Sequence, residues 1–159
     1  MTSKNSTTST YDPLRVSLKK VDLLFRRGTL DQAISSSNNL LILIPEKQTH
    51  LIIKAKLQLA KLLTVKCDYL RAEVLLEDCL SLGRAEQPEH LILEKVKSQL
   101  GLVYSYQERF SEAMNLLNGV IKRLFLKEKN TNIAMARAYD NLATVEIGLA
   151  MYEKAVSHL

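Results

Sequence analysis

Turn-forming residues are scarce in this chain: 5 Gly and 3 Pro in 159 residues. A strand-rich fold needs turn residues at frequent intervals, so the composition argues against one and for helices. Trp is absent, and Leu dominates the 47% of apolar residues. No apolar run approaches the roughly 18–20 residues that span a bilayer; the densest, Leu40 to Ile44, has the length of a helix end. The 2 cysteines, Cys67 and Cys79, have neither metal-site nor redox-motif spacing and read as free thiols of a reducing compartment. The opening MTSKNSTTST lacks the apolar core of a secretory signal and the Arg-rich amphipathic pattern of a transit peptide. Residues 1–12 are therefore expected to be a disordered Ser/Thr-rich leader, and the sequon at Asn5-Ser6-Thr7 carries no weight.

Catalytic and cofactor signatures are missing as well. There is no Gly-rich phosphate loop and no Gly-x-Ser-x-Gly elbow. His50, His90 and His158 lie in different repeats and read as exposed or capping histidines, so no metal and no cofactor are expected. Glu73, Glu77 and Asp78 share a helix, where neighbouring carboxylates read as a solvated face. Cys79 reads as a buried structural thiol and Cys67 as a turn residue. The expectation is a protein that is not an enzyme.

What the chain does have is a repeat. Leu30-Asp31-Gln32-Ala33, Tyr69-Leu70-Arg71-Ala72, Phe110-Ser111-Glu112-Ala113 and Tyr152-Glu153-Lys154-Ala155 share one form: a large apolar residue, two variable ones, then Ala. Each follows an expected turn, at Arg27-Gly28-Thr29, Lys66-Cys67-Asp68, Gln107-Glu108-Arg109 and Gly148-Leu149-Ala150-Met151. Before each turn runs a stripe of helical period: Leu14, Leu18, Val21 and Leu24; Ile53, Leu59 and Leu63; Val96, Leu100 and Val103; Ala138, Leu142 and Val145. The pattern predicts helix, short turn, helix, four times over, with successive helices antiparallel. The expected hairpins are 13–46, 47–86, 87–130 and 131–159, the last cut short.

This pattern resembles the tetratricopeptide repeat (TPR) family. That family places a small residue early in the second helix, as Ala33, Ala72, Ala113 and Ala155, and a large residue three positions before it. It also places Leu-Gly or Leu-Ala midway along the first helix; Leu59-Ala60, Leu100-Gly101 and Leu142-Ala143 match, while Lys20-Val21 departs. The Ala-to-Ala steps exceed the ~34 residues of the standard repeat, as in its long-helix variety, with the extra residues around Gly83–His90 and Lys127–Thr131. The resemblance implies an all-α, right-handed α-solenoid of antiparallel hairpins. It implies a scaffold for protein partners in an intracellular complex, cytoplasmic or nuclear. A fourth hairpin ending at Leu159 is read as part of a longer solenoid or as completed by a partner chain.

In the family the first helix of each hairpin lines a concave groove. Alignment on the Ala positions places Arg15, Lys19, Asp22 and Arg26 there from the first repeat. The second adds Lys54, Leu57, Gln58 and Lys61, and the third Lys95, Ser98, Gln99, Leu102 and Tyr106. The fourth adds Arg137, Asp140, Asn141 and Thr144. The set is mostly basic, in a chain with 22 Lys and Arg against 17 Asp and Glu. It implies an extended acidic partner segment, set against the plainer reading that these cations form a solvated face. Asn141 stands where the family grips a ligand's backbone amide. Leu18, Asp22 and Gln58 depart from the Lys/Asn/Arg clamp for chaperone tails. The competing readings are a helical-repeat nucleic-acid binder, a peptide-sensing regulator, and a module that pairs with a second copy through Tyr152 and Val156.

Overall fold

The computed structural model describes residues 13–86, 90–126 and 132–157. These residues form seven helices and no strand, so the all-α expectation holds: α1 (Pro13–Arg26), α2 (Leu30–Leu43), α3 (Thr49–Val65), α4 (Tyr69–Glu86), α5 (His90–Tyr106), α6 (Phe110–Phe125) and α7 (Asn132–Ser157). Each helix packs against the next in sequence, and α3–α5 and α5–α7 also touch. None of the described helices is long and apolar enough to cross a membrane.

Three of the expected turns close by the same hydrogen-bond pattern. Thr29, Asp68 and Arg109 each donate their backbone N–H to the carbonyl five residues back, on Leu24, Leu63 and Tyr104. Gly28, Cys67 and Glu108 donate three residues back, to Phe25, Thr64 and Ser105. This double closure satisfies carbonyls that the helix end leaves open, and it requires one left-handed residue. Gly28 takes that conformation at φ 77, but Cys67 and Glu108 take it at φ 62 with a Cβ. Outside glycine, such a conformation costs about 1 kcal/mol. Between α2 and α3 the break is different: Ile44 is extended (ψ 123), the conformation that Pro45 imposes on its predecessor.

The identical turns put the hairpins in register. Leu30, Tyr69 and Phe110 are the first residues of α2, α4 and α6. Ala33, Ala72 and Ala113 are each 0% exposed, and each donates its N–H to the last turn residue before the helix. Midway along the hairpin, two equivalent positions trade bulk. The third hairpin has Gly101 facing Leu117, and a Cβ on Gly101 would lie 2.7 Å from the Leu117 Cγ. The second has Ala60 and Leu76 at these places, and the first has Val21 and Ser37, all buried. The smaller partner moves from one helix to the other while the space stays filled, as dense packing demands. Ser37 fills its place imperfectly, because its buried Oγ has no hydrogen-bond partner.

The expected turn at Gly148–Met151 does not form: α7 runs unbroken from Asn132 to Ser157. The fourth segment is therefore one long helix, and Tyr152–Ala155 lies within it, with the side chains of Tyr152 and Ala155 outside the described residues. A large residue and an Ala three positions apart fit a continuing helix as well as a new one. Leu149, Ala150 and Met151 are good helix formers. Gly148 serves packing and makes no turn: a Cβ there would meet the Phe110 ring at 2.8 Å.

Two stability outcomes follow. Glu108→Gly relieves the left-handed strain and raises unfolding free energy by up to about 1 kcal/mol, read as a higher urea midpoint at unchanged slope. Gly101→Val drives bulk into Leu117 and lowers it by about 2 kcal/mol. Adding Leu117→Ala, which moves the small residue to the other helix, recovers part of that loss; a double variant no better than the sum of the singles contradicts the bulk-trading account.

Candidate functional site

The first helices of the hairpins, α1, α3 and α5, together with α7, line three adjoining hollows. The first, of 350 Å³, is bounded by Lys19, Asp22, Leu23 and Arg26. The second, of 360 Å³, runs from Leu18 and Asp22 across Lys54, Leu57, Gln58 and Lys61 to Leu91, Ile92 and Lys95. The third, of 230 Å³, is lined by Lys61, Lys95, Ser98, Gln99, Ile133, Ala134, Arg137 and Asn141. Asp22 belongs to the first two, and Lys61 and Lys95 to the last two. Twelve residues singled out from sequence thus line one run: Lys19, Asp22, Arg26, Lys54, Leu57, Gln58, Lys61, Lys95, Ser98, Gln99, Arg137 and Asn141. Tyr106 stands apart, in a hollow with Thr144, Ile147 and Met151, and its ring stacks on Tyr69 at 5.2 Å. The side chain of Arg15 lies outside the described residues. Leu102 and Asp140 line none of the three.

The turns explain the alignment. Lys54 and Lys95 sit at the same distance before the left-handed residues Cys67 and Glu108, and the Ala-based alignment puts Arg137 at the matching place in α7. One helix position therefore presents a cation on each of three successive first helices. Six cations elsewhere are paired with carboxylates. Lys56 pairs with Asp78, Lys66 with Asp31, Arg71 with Asp68, Lys97 and Arg123 with Glu94, and Arg109 with Glu73 and Glu112. None of these paired cations lines the three hollows, and no cation lining the hollows pairs with a described carboxylate within salt-bridge distance.

The amides of the run have another task. Gln58 Nε2 donates to the Leu18 carbonyl at 3.2 Å and to Asp22. Asn141 Nδ2 donates to the Ser98 carbonyl at 2.9 Å and to Ser98 Oγ at 3.0 Å. Leu18 and Ser98 hold equivalent places, so the same cross-brace ties α1 to α3 and α5 to α7. Gln99 bonds Thr64 Oγ1 at 3.1 Å instead, which ties α3 to α5. Asn141, expected to grip a ligand's amide, commits its N–H donors to holding helices together.

Lys61 is the most perturbed cation of the run. Burial lowers its pKa below the ordinary lysine value, and the Arg137 and Lys95 charges lower it further, while Asp22 opposes them. Sequence spacing offers no sign of this crowding, because the three cations come from three helices. It also misses Leu91, Ile92 and Ile133, whose only signal is an apolar side chain near the start of a first helix. Cys79 is buried as expected, and burial pushes its thiol up to about 12. Cys67 is exposed. Among the described residues no three His, Cys, Asp or Glu side chains gather as a metal site would require.

No protein-family model matches the chain, and no curated protein matches it.

A lowered lysine pKa means that the charged form is disfavoured in the folded protein, so the unfolded chain binds more protons between the lowered and ordinary values. Stability then rises with pH through that window. Lys61→Met should therefore stabilise the protein near neutral pH, and its advantage over wild type should shrink as pH climbs toward the ordinary lysine range. Parallel urea titrations across pH check this; an advantage that is constant with pH contradicts it.

Proposed function

We propose that this chain is a TPR-like helical-repeat scaffold, a right-handed α-solenoid of hairpins. In this reading its first-helix face is a concave groove that clasps an extended acidic segment of a protein partner within an intracellular assembly. The observation that carries the reading is the gathering of cations along one face. Lys54, Lys95 and Arg137 recur at one helix position, Lys19, Arg26 and Lys61 join them, and none pairs with a described carboxylate, whereas six cations elsewhere in the fold do. A cation kept for the chain's own stability gains from a nearby carboxylate; a face that keeps its cations free favours an anionic visitor and steers its approach. The successive hairpins supply a repeating row of such positions, which suits an extended segment over a compact ligand. The amide braces hold neighbouring first helices at fixed spacing, so the row is preorganised.

The test compares wild type with a Lys19→Glu, Lys54→Glu, Lys61→Glu variant against an array of acidic and basic peptides, by fluorescence polarisation. Wild type should select acidic peptides, and the variant should lose at least about tenfold in affinity, the equivalent of roughly 1.4 kcal/mol. Equal binding by both proteins refutes the groove. A steep salt dependence with single-stranded nucleic acid, exceeding that with any peptide, favours phosphate-backbone binding in its place.

A further inference from the structure

The third hollow differs in kind from its neighbours. Lys61 from α3, Lys95 from α5 and Arg137 from α7 converge on it, and no carboxylate is among the described residues that line it. Ser98, buried at its wall, accepts the Asn141 N–H on Oγ and so keeps its own hydroxyl proton to donate. At 230 Å³ the hollow matches one side-chain head group better than a length of peptide. A carboxylate brings two coplanar oxygens and one charge. A phosphate monoester brings three peripheral oxygens in a tetrahedral fan and nearly two charges, which suits three cations approaching from three helices.

We propose that the hollow between α3, α5 and α7 is a phosphate-binding site, with Lys61, Lys95 and Arg137 as its cationic ligands and the Ser98 hydroxyl as a neutral donor. Where the phosphate is carried by a phosphorylated residue of the partner segment, the site rests on the groove reading above; a free phosphate or small phosphate ester does not need it. Bound phosphate also answers the electrostatics of the site: it favours the charged form of Lys61, which burial first, and then Arg137 and Lys95, disfavour.

The experiment follows backbone amide NMR of the whole chain during titration with inorganic phosphate, against sodium chloride at matched ionic strength. A parallel titration compares an acidic peptide carrying a central phosphoserine with its unphosphorylated counterpart. Phosphate should cause saturable shifts centred on Lys61, Lys95, Ser98 and Arg137, and chloride should not. Phosphorylation should tighten peptide binding about tenfold or more. Lys61→Gln and Arg137→Gln should each weaken phosphate about tenfold, while Lys122→Gln, exposed on α6 and outside the groove, leaves it unchanged. Arg137 is exposed, so its variant tests the site without disturbing the core. Phosphate shifts without any peptide preference support the site and assign it to a small phosphate compound. Acidic peptides that bind with no gain from phosphorylation, together with no saturable phosphate shift, overturn the site and leave the groove reading standing. Shifts unchanged by Lys61→Gln and Arg137→Gln also overturn it.

Discussion

Within each hairpin the two helices can approach only as closely as the residues at their crossing allow, and much of the fold depends on that crossing. At the crossing in the third hairpin Gly101 admits Leu117; the corresponding places hold Ala60 and Leu76 in the second and Val21 and Ser37 in the first. What is kept from hairpin to hairpin is the filling of a shared space, whichever helix carries the bulk. A close-packed interior tolerates that exchange and penalises either a void or an excess. The turns act with it. A left-handed residue at Gly28, Cys67 and Glu108 fixes how far each second helix starts from its first, so the crossing occurs at the same point each time. Two turns accept a side chain in a conformation that glycine would hold with less strain.

Repetition in register gives the first-helix face its chemistry. Once the hairpins match, equivalent residues of successive first helices fall on one side, and side chains remote in sequence meet. The braces from Gln58 to Leu18 and from Asn141 to Ser98 are one consequence. The convergence of Lys61, Lys95 and Arg137 is another. The two work in opposite senses: the amides satisfy donors internally and stiffen the face, while the cations pair with no described carboxylate. Ion pairing elsewhere draws helices together, as when buried Glu94 on α5 binds Arg123 of α6 through both oxygens at 3.0 Å. A buried carboxylate needs such partners to offset its desolvation.

Helix identity was legible in the chain because apolar residues recur with helical period and turn residues are few. The three closed turns were legible because the Ala motif and the turn residues coincide there. The fourth was misread, since Gly148 and a large-x-x-Ala match imitate a turn and a new helix where α7 simply continues. Gly148 is small because Phe110 packs on it, a fact about a residue on a different helix. The choice of Lys19, Lys54, Lys61, Lys95 and Arg137 for one face followed from alignment of the repeats. The role of Asn141 did not, because an amide on a polar face looks the same whether it meets a ligand or the next helix.

The sequence by itself determined which segments are helical, where three hairpins turn, and which side of each first helix is basic. These are local properties, set by periodicity, by the conformations that turn residues accept and by the small residues at the crossings. Only the tertiary structure decided that α7 runs through Gly148, that the amides brace helices, and that three cations crowd one hollow while others find carboxylates. Those outcomes depend on distances between residues of different helices, and such distances exist only once the hairpins have packed.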